Sequence, residues 1–175
     1  MNKKGFTLIE ILVVVVVVSV LAAISLTQMA KIVENSKLTD AITLINAVAN
    51  AQKMARLEYP NTVTAQFGKL QTIKSGTCAA TSTSLSTIAD YMNCKYLTQH
   101  DWSNLSYTYY ICNGSGGGGG CCGDTGSPVA CATRGSTVHP ASGDYAGWHV
   151  GILSTGQCVT SCASCKTQPP NCPTI

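Results

Sequence analysis

Charge is scarce in this chain. Asp, Glu, Lys and Arg make up 11% of its 175 residues and the formal net charge is +3, so there is no basic footprint for nucleic acid. Histidine occurs three times, at His100, His139 and His149. These are scattered, and nowhere does a nucleophile stand with a base, so the chain is expected to be no enzyme and to need no cofactor or metal. Phenylalanine occurs only twice, against seven Tyr and two Trp. Large aliphatics thin out after Pro60, so any core built there is small for its length. No glycine or proline occurs from Phe6 through Glu58, which leaves nothing to break a helix in that stretch. No cysteine precedes Cys78, so any covalent framework is confined to the chain from that residue onward.

What is present starts with Phe6–Leu26, FTLIEILVVVVVVSVLAAISL, which carries a single charge, Glu10. As a helix it is about 31 Å long, against roughly 30 Å for a bilayer core. Six consecutive valines, Val13 to Val18, favour a strand by propensity. A lone strand cannot satisfy its backbone in hydrocarbon, whereas a helix can. The stretch therefore reads as a membrane helix. Lys3 and Lys4 before it hold that end in the cytoplasm, so the chain after Leu26 lies outside the inner membrane. A secretory signal peptide is the rival, with a small-residue cleavage site around Ala22 and Ala23. Its apolar region is shorter, roughly 7–15 residues. It would also not carry a carboxylate, which costs about 2.5–3.5 kcal/mol near a helix centre and less near an end.

Lys3-Lys4-Gly5-Phe6-Thr7-Leu8-Ile9-Glu10 resembles the cleavage and methylation motif of type IV prepilins and the related pseudopilins. The resemblance implies cleavage after Gly5, N-methylation of Phe6, and a Glu10 that attracts the terminal amine of a neighbouring subunit during assembly. It implies a prepilin peptidase, an assembly machinery and identical or related subunits as partners. It places the protein as a single-pass inner-membrane subunit before assembly and in an extracellular pilus afterwards. Removing residues 1–5 takes Lys3 and Lys4 from the 11 basic side chains. That leaves 9 against 8 acidic ones.

From Thr27 the helix continues in amphipathic form. Met29, Ile32 and Val33 share a face, and Leu38, Ile42, Ile45, Val48 and Ala49 carry it forward at helical spacing. Pro60 ends the pattern, and Tyr59 before it is biased out of the helical region. One helix from about Phe6 to Leu57 is the simplest reading, its outer half burying the apolar stripe on a sheet. The pilin plan is similar, one long helix feeding a small head, although many pilins carry Gly or Pro in the membrane half and this chain has none.

Residues 61–105 show no clear period, but Leu85 to Leu97 places Ile88, Tyr91 and Met92 at loose helical spacing, which suggests a short helix there. Cys78 and Cys94 flank that segment and could staple it. Ser106–Cys112 alternates, with Tyr107, Tyr109 and Ile111 on one face. Gly147–Leu153 alternates with Trp148, Val150 and Ile152 together. Ser154-Thr-Gly156 is a three-residue hairpin loop, with Gln157–Thr160 returning, and a weaker strand covers Val129 to Thr133. The fold class is α+β: a long N-terminal helix packed on an antiparallel sheet of about four strands, with disulfide-rich loops. The divisions are a leader at 1–5, a membrane or filament-core helix at 6–26, its amphipathic continuation at 27–59, and a cysteine-rich head at 60–175.

The ten cysteines are Cys78, Cys94, Cys112, Cys121, Cys122, Cys131, Cys158, Cys162, Cys165 and Cys172. An even number in an oxidising compartment reads as a disulfide framework whose pairing the sequence leaves open. The tail from Cys158 to Cys172, with Pro169, Pro170 and Pro173 at its end, is expected to be a knotted surface loop. A zinc site from Cys158, Cys162, Cys165 and Cys172 fits by spacing, but structural bridges suit the compartment better. Cys162-Ala-Ser-Cys165 lacks the βαβ context of a redox enzyme. Gly114, Gly116 and Gly119 match a dinucleotide fingerprint by letter, but no helix start comes after them. Asp124 and Asp144 are expected to be turn residues rather than calcium ligands. Asn104 and Asn113 each begin a glycosylation sequon, too short a signal to use.

Two rivals remain. A pseudopilin of a type II secretion system shares such an N-terminus, but those heads are compact and the main one carries a calcium site. A cysteine-rich metal-binding or interaction module would use Phe6–Leu26 only as a signal or anchor.

Overall fold

The computed structural model describes residues 6–60, 68–70, 76–78, 89–98, 100–112, 114, 126–135, 144–162 and 165–172. The chain divides into two units, Met1–Ser36 and Lys37–Ile175. The long helix α1 covers Leu8–Glu58, 51 residues. In the second unit its inward stripe is Leu38, Ala41, Ile42, Ile45, Val48, Ala49, Gln52 and Ala55, all buried. The spacing of three and four residues puts them on one face. Each fully buried Leu or Ile there contributes about 1.5–3 kcal/mol. Met29, Ile32 and Val33 belong to the first unit and are exposed, so the buried stripe begins at Leu38. Pro60 lies just past the helix end, where the Tyr59 N–H donates to the Ala55 carbonyl.

The head holds a five-stranded antiparallel sheet in sequential order. Its strands are β1 Gly68–Lys69, β2 Tyr107–Ile111, β3 Pro128–Arg134, β4 Trp148–Leu153 and β5 Cys158–Cys162. The four longer strands match the expected sheet of about four, and β1, two residues long, is too short to leave a periodic trace. The side chains of Tyr107, Tyr109 and Ile111 on β2 and of Trp148, Val150 and Ile152 on β4 are buried. Between these strands lies β3, whose Ala132 pairs with Tyr109 on one side and Val150 on the other. Its sequence looks weak because it is short of large residues, yet it is the central strand. The second face of β3 is covered too: Cys131 joins Cys112 in a separate buried cluster with Tyr110 against it. A bulge at Val129 shifts the β3–β4 register by one residue, the kind of kink that re-aims a strand. Arg134, buried in β3, donates to the Ser106 carbonyl at 2.8 Å and lies 5.8 Å from the centroid of the Tyr107 ring.

A four-residue helix α2, Asp90–Asn93, buries Tyr91 and Met92 against the same core. Burial pushes the Tyr91 phenol up to about 12, with Arg56 pulling the other way. Leu85 and Ile88, also expected to be helical, lie outside the described residues. The β4–β5 hairpin turns through Ser154, Thr155 and Gly156. Leu153 and Gln157 close it, the Leu153 N–H donating to the Gln157 carbonyl at 2.9 Å. Gly156 has φ +90°, which a side chain disfavours. Gly156→Ala is expected to destabilise the head by about 1–2 kcal/mol, read as a shift in the denaturation midpoint of the detergent-solubilised chain.

The disulfide framework has Cys78 joined to Cys94, Cys158 to Cys172 and Cys162 to Cys165. Cys112 and Cys131 are disulfide-bonded as well. Regular structure persists further into the tail than expected, since β5 runs to Cys162 before residues 165–172 leave the sheet. All four cysteines of the tail take part in these two bridges.

Candidate functional site

Two properties single out the first turns of α1. The apolar side chains from Phe6 to Ile24 are exposed within the single chain, with Phe6 at 83% and Leu8 at 93%. The helix is long and apolar enough to cross a membrane, its most apolar 18 residues having a mean hydropathy of 2.9 with none buried. An unbroken apolar surface of this size is covered by lipid or by protein in any stable state.

The second property is how its polar groups are placed. Thr7 is the N-cap of α1 and Glu10 the third helical residue. The Thr7 N–H and hydroxyl both donate to Glu10 Oε2, at 2.9 and 2.8 Å. The Glu10 N–H donates back to Thr7 Oγ1 at 3.3 Å. This reciprocal pair is a capping box, which satisfies two of the four N–H groups that a helix start leaves open. Threonine three residues before glutamate at the head of an apolar run is the readable signal for it, although the prepilin resemblance alone assigns Thr7 no role. The carboxylate also sits where the positive end of the helix dipole favours it. Further along, the Ser19 hydroxyl donates to the Val16 carbonyl and the Ser25 hydroxyl to that of Leu21, at 2.8 and 2.9 Å. The side-chain hydroxyls of Thr7, Ser19 and Ser25 thus find acceptors inside the helix, as an apolar environment requires.

Of the expected site residues, Phe6 stands just before the N-cap and Glu10 in the first turn, while Gly5 lies outside the described residues. Cys121 and Cys122 lie outside them too, as do His139, Asp124 and Asn113. His100 stacks edge-on against Trp102, with centroids 5.6 Å apart, and His149 lies in β4. Asp144 pairs with Lys166 at 3.6 Å on the surface. Among the described residues, no group of three or more His, Cys, Asp or Glu side chains stands together as a metal site. At the start of α1 the polar chemistry is therefore concentrated at Thr7 and Glu10, with exposed apolar side chains around them.

Comparison with known proteins agrees with that emphasis. Residues 1–26 match the family model described as the prokaryotic N-terminal methylation motif. Two curated proteins, each named fimbrial protein and from Pseudomonas aeruginosa, are 38% identical to the chain over 56 residues. The match covers 32% of this chain and 36% of each relative, so the chain spans about a third of the length of the curated relatives it matches. No solved structure matches.

Proposed function

We propose that this chain, whose N-terminal motif is that of the type IV pilin and pseudopilin family, is a structural subunit of a type IV pilus. It waits in the inner membrane with residues 1–5 in the cytoplasm and the head outside. A membrane peptidase cuts after Gly5, and the new terminus at Phe6 is methylated. Subunits then leave the bilayer and pack by α1 into a filament core, with the heads and their bridges facing out. The observation that carries this reading is the exposed apolar half of α1 with one carboxylate at its start. Lipid covers that surface first and neighbouring helices cover it later. Glu10 then fixes the axial register by meeting the terminal amine of a neighbour. An ammonium and a carboxylate attract strongly in a dry seam, and each alone is costly to bury.

The cysteine-rich head favours a pilus over a secretion pseudopilus, because a fibre standing outside the cell is held together there by bridges rather than by a large core. N-terminal mass spectrometry of the protein from native membranes tests processing. The expected terminus is N-methylated Phe6. A terminus near Ile24, or an intact Met1, would mean that the apolar stretch serves as a signal or a plain anchor.

A further inference from the structure

The tail is held to β5 in a way that sets one bridge apart. Trp148, Val150 and Ile152 of β4 are buried and pair with Cys162, Thr160 and Cys158 of β5. Those three β5 residues share the inward face, and each grips the tail. Cys158 bonds to Cys172, the Thr160 hydroxyl donates to the Pro170 carbonyl at 3.1 Å, and Cys162 bonds to Cys165. The tail therefore closes the flank of the core beside β5. At the Cys162 end it also accepts the Trp148 indole N–H on the Thr167 carbonyl, at 2.6 Å. The Thr167 N–H in turn donates to the Asp144 carbonyl at 3.2 Å.

We infer that Cys162–Cys165 is a thiol–disulfide exchange site for dithiols, whose opening loosens the tail over Trp148 while the rest of the head stays folded. Three observations carry this, none of which depends on filament assembly. The bridge spans a sequence separation of 3, against 14 for Cys158–Cys172 and 16 for Cys78–Cys94. Of these three bridges it closes the shortest loop, and losing that loop releases the least chain entropy, so the fold survives its opening better than that of the other two. Both its cysteines are partly accessible to solvent, as are Cys94, Cys158 and Cys172, while Cys78 is exposed, so access permits exchange at this bridge and the short loop and the sulfur's donor single it out. The Cys165 N–H also donates to Cys162 Sγ at 3.0 Å, a donor aimed at the sulfur that departs when Cys165 is attacked.

The chemistry balances as a two-electron exchange. One thiolate of the dithiol attacks Cys165 Sγ. The disulfide breaks, and its electron pair leaves on Cys162 Sγ, stabilised by the Cys165 N–H. The second thiol of the reagent loses its proton, attacks the reagent's own sulfur in the mixed disulfide and expels Cys165 as a thiolate. The head gains two electrons and two protons, and the dithiol leaves as a cyclic disulfide.

The test is dithiothreitol titration of the full chain in detergent, with timed alkylation read by peptide mass spectrometry. The indole N–H signals of Trp102 and Trp148 are followed by NMR. Cys162 and Cys165 are expected to be labelled at least about fivefold faster than any other cysteine, the effect of one hydrogen bond to the leaving sulfur. In step with that labelling one indole signal moves and the other stays, and reoxidation restores it. The double variant Cys162→Ser, Cys165→Ser is expected to show the displaced signal without reductant. Earlier or simultaneous opening of Cys78–Cys94 or Cys158–Cys172 would overturn the assignment. So would an unmoved Trp148 signal, or loss of circular dichroism together with the first labelling.

Discussion

Glu10→Ala is expected to leave a subunit that is made, inserted and processed but absent from filaments, with sheared-fibre yield falling to background. Two effects contribute to that loss, and they can be separated. The alanine variant forfeits the capping box, worth about 1 kcal/mol at a helix start, and also removes the charge that a neighbouring amine would meet. Glu10→Gln keeps an acceptor for the Thr7 N–H but carries no charge. Thr7→Ala removes the hydroxyl of the box and keeps the charge. If register depends on the ion pair, Glu10→Gln assembles nearly as poorly as Glu10→Ala, while Thr7→Ala still assembles at reduced yield. Equal losses in Thr7→Ala and Glu10→Ala, with Glu10→Gln unaffected, would show that helix capping is all the carboxylate does.

Trp148→Ala is the second large effect, and it concerns the head. Trp148 is fully buried, stacks edge-on against Tyr145 with centroids 5.3 Å apart, and donates its indole N–H to Thr167. Truncating a buried Trp costs about 3–5 kcal/mol through lost transfer energy and the cavity left behind. This change also orphans the Thr167 carbonyl. Against a total of about 5–15 kcal/mol for a typical domain, that loss brings the head close to its unfolding threshold. Denaturant unfolding of the detergent-solubilised chain, followed by near-ultraviolet circular dichroism of the tyrosines, measures it. Trp148→Phe keeps most of the volume and loses the donor, so its midpoint is expected between wild type and Trp148→Ala. A wild-type midpoint for Trp148→Ala would mean that the tail, not the indole, holds that flank.

Much of this architecture is legible because its signals are long or strongly periodic. An uninterrupted helix from Leu8 to Glu58 is dictated by the absence of breakers and the stop at Pro60. Tyr107, Tyr109 and Ile111, and then Trp148, Val150 and Ile152, declare their buried faces by alternation. The central strand reads poorly for a physical reason. With neighbours on both sides and a second cluster behind it, β3 is built from Ala130, Cys131 and Ala132, and small residues buried on both faces do not alternate. Gln52 is a similar case. Its side-chain amide donates to the Cys112 carbonyl from inside the core, a partner 60 residues away in sequence that local pattern cannot reveal. At the candidate site, the motif names Phe6 and Glu10. The bonding of Thr7 to Glu10 is written in their spacing but needs the helix start to be located.

The clamping of residues 165–172 at both ends has a consequence for how this surface can vary. With Cys165 fixed near one end of β5 and Cys172 at the other, extra residues placed between them would bulge outward as a blister. They would not slide the strand register, because the bridges hold both ends. The stretch between Cys165 and Cys172 can therefore change in length and lettering while the interior beneath it keeps its shape.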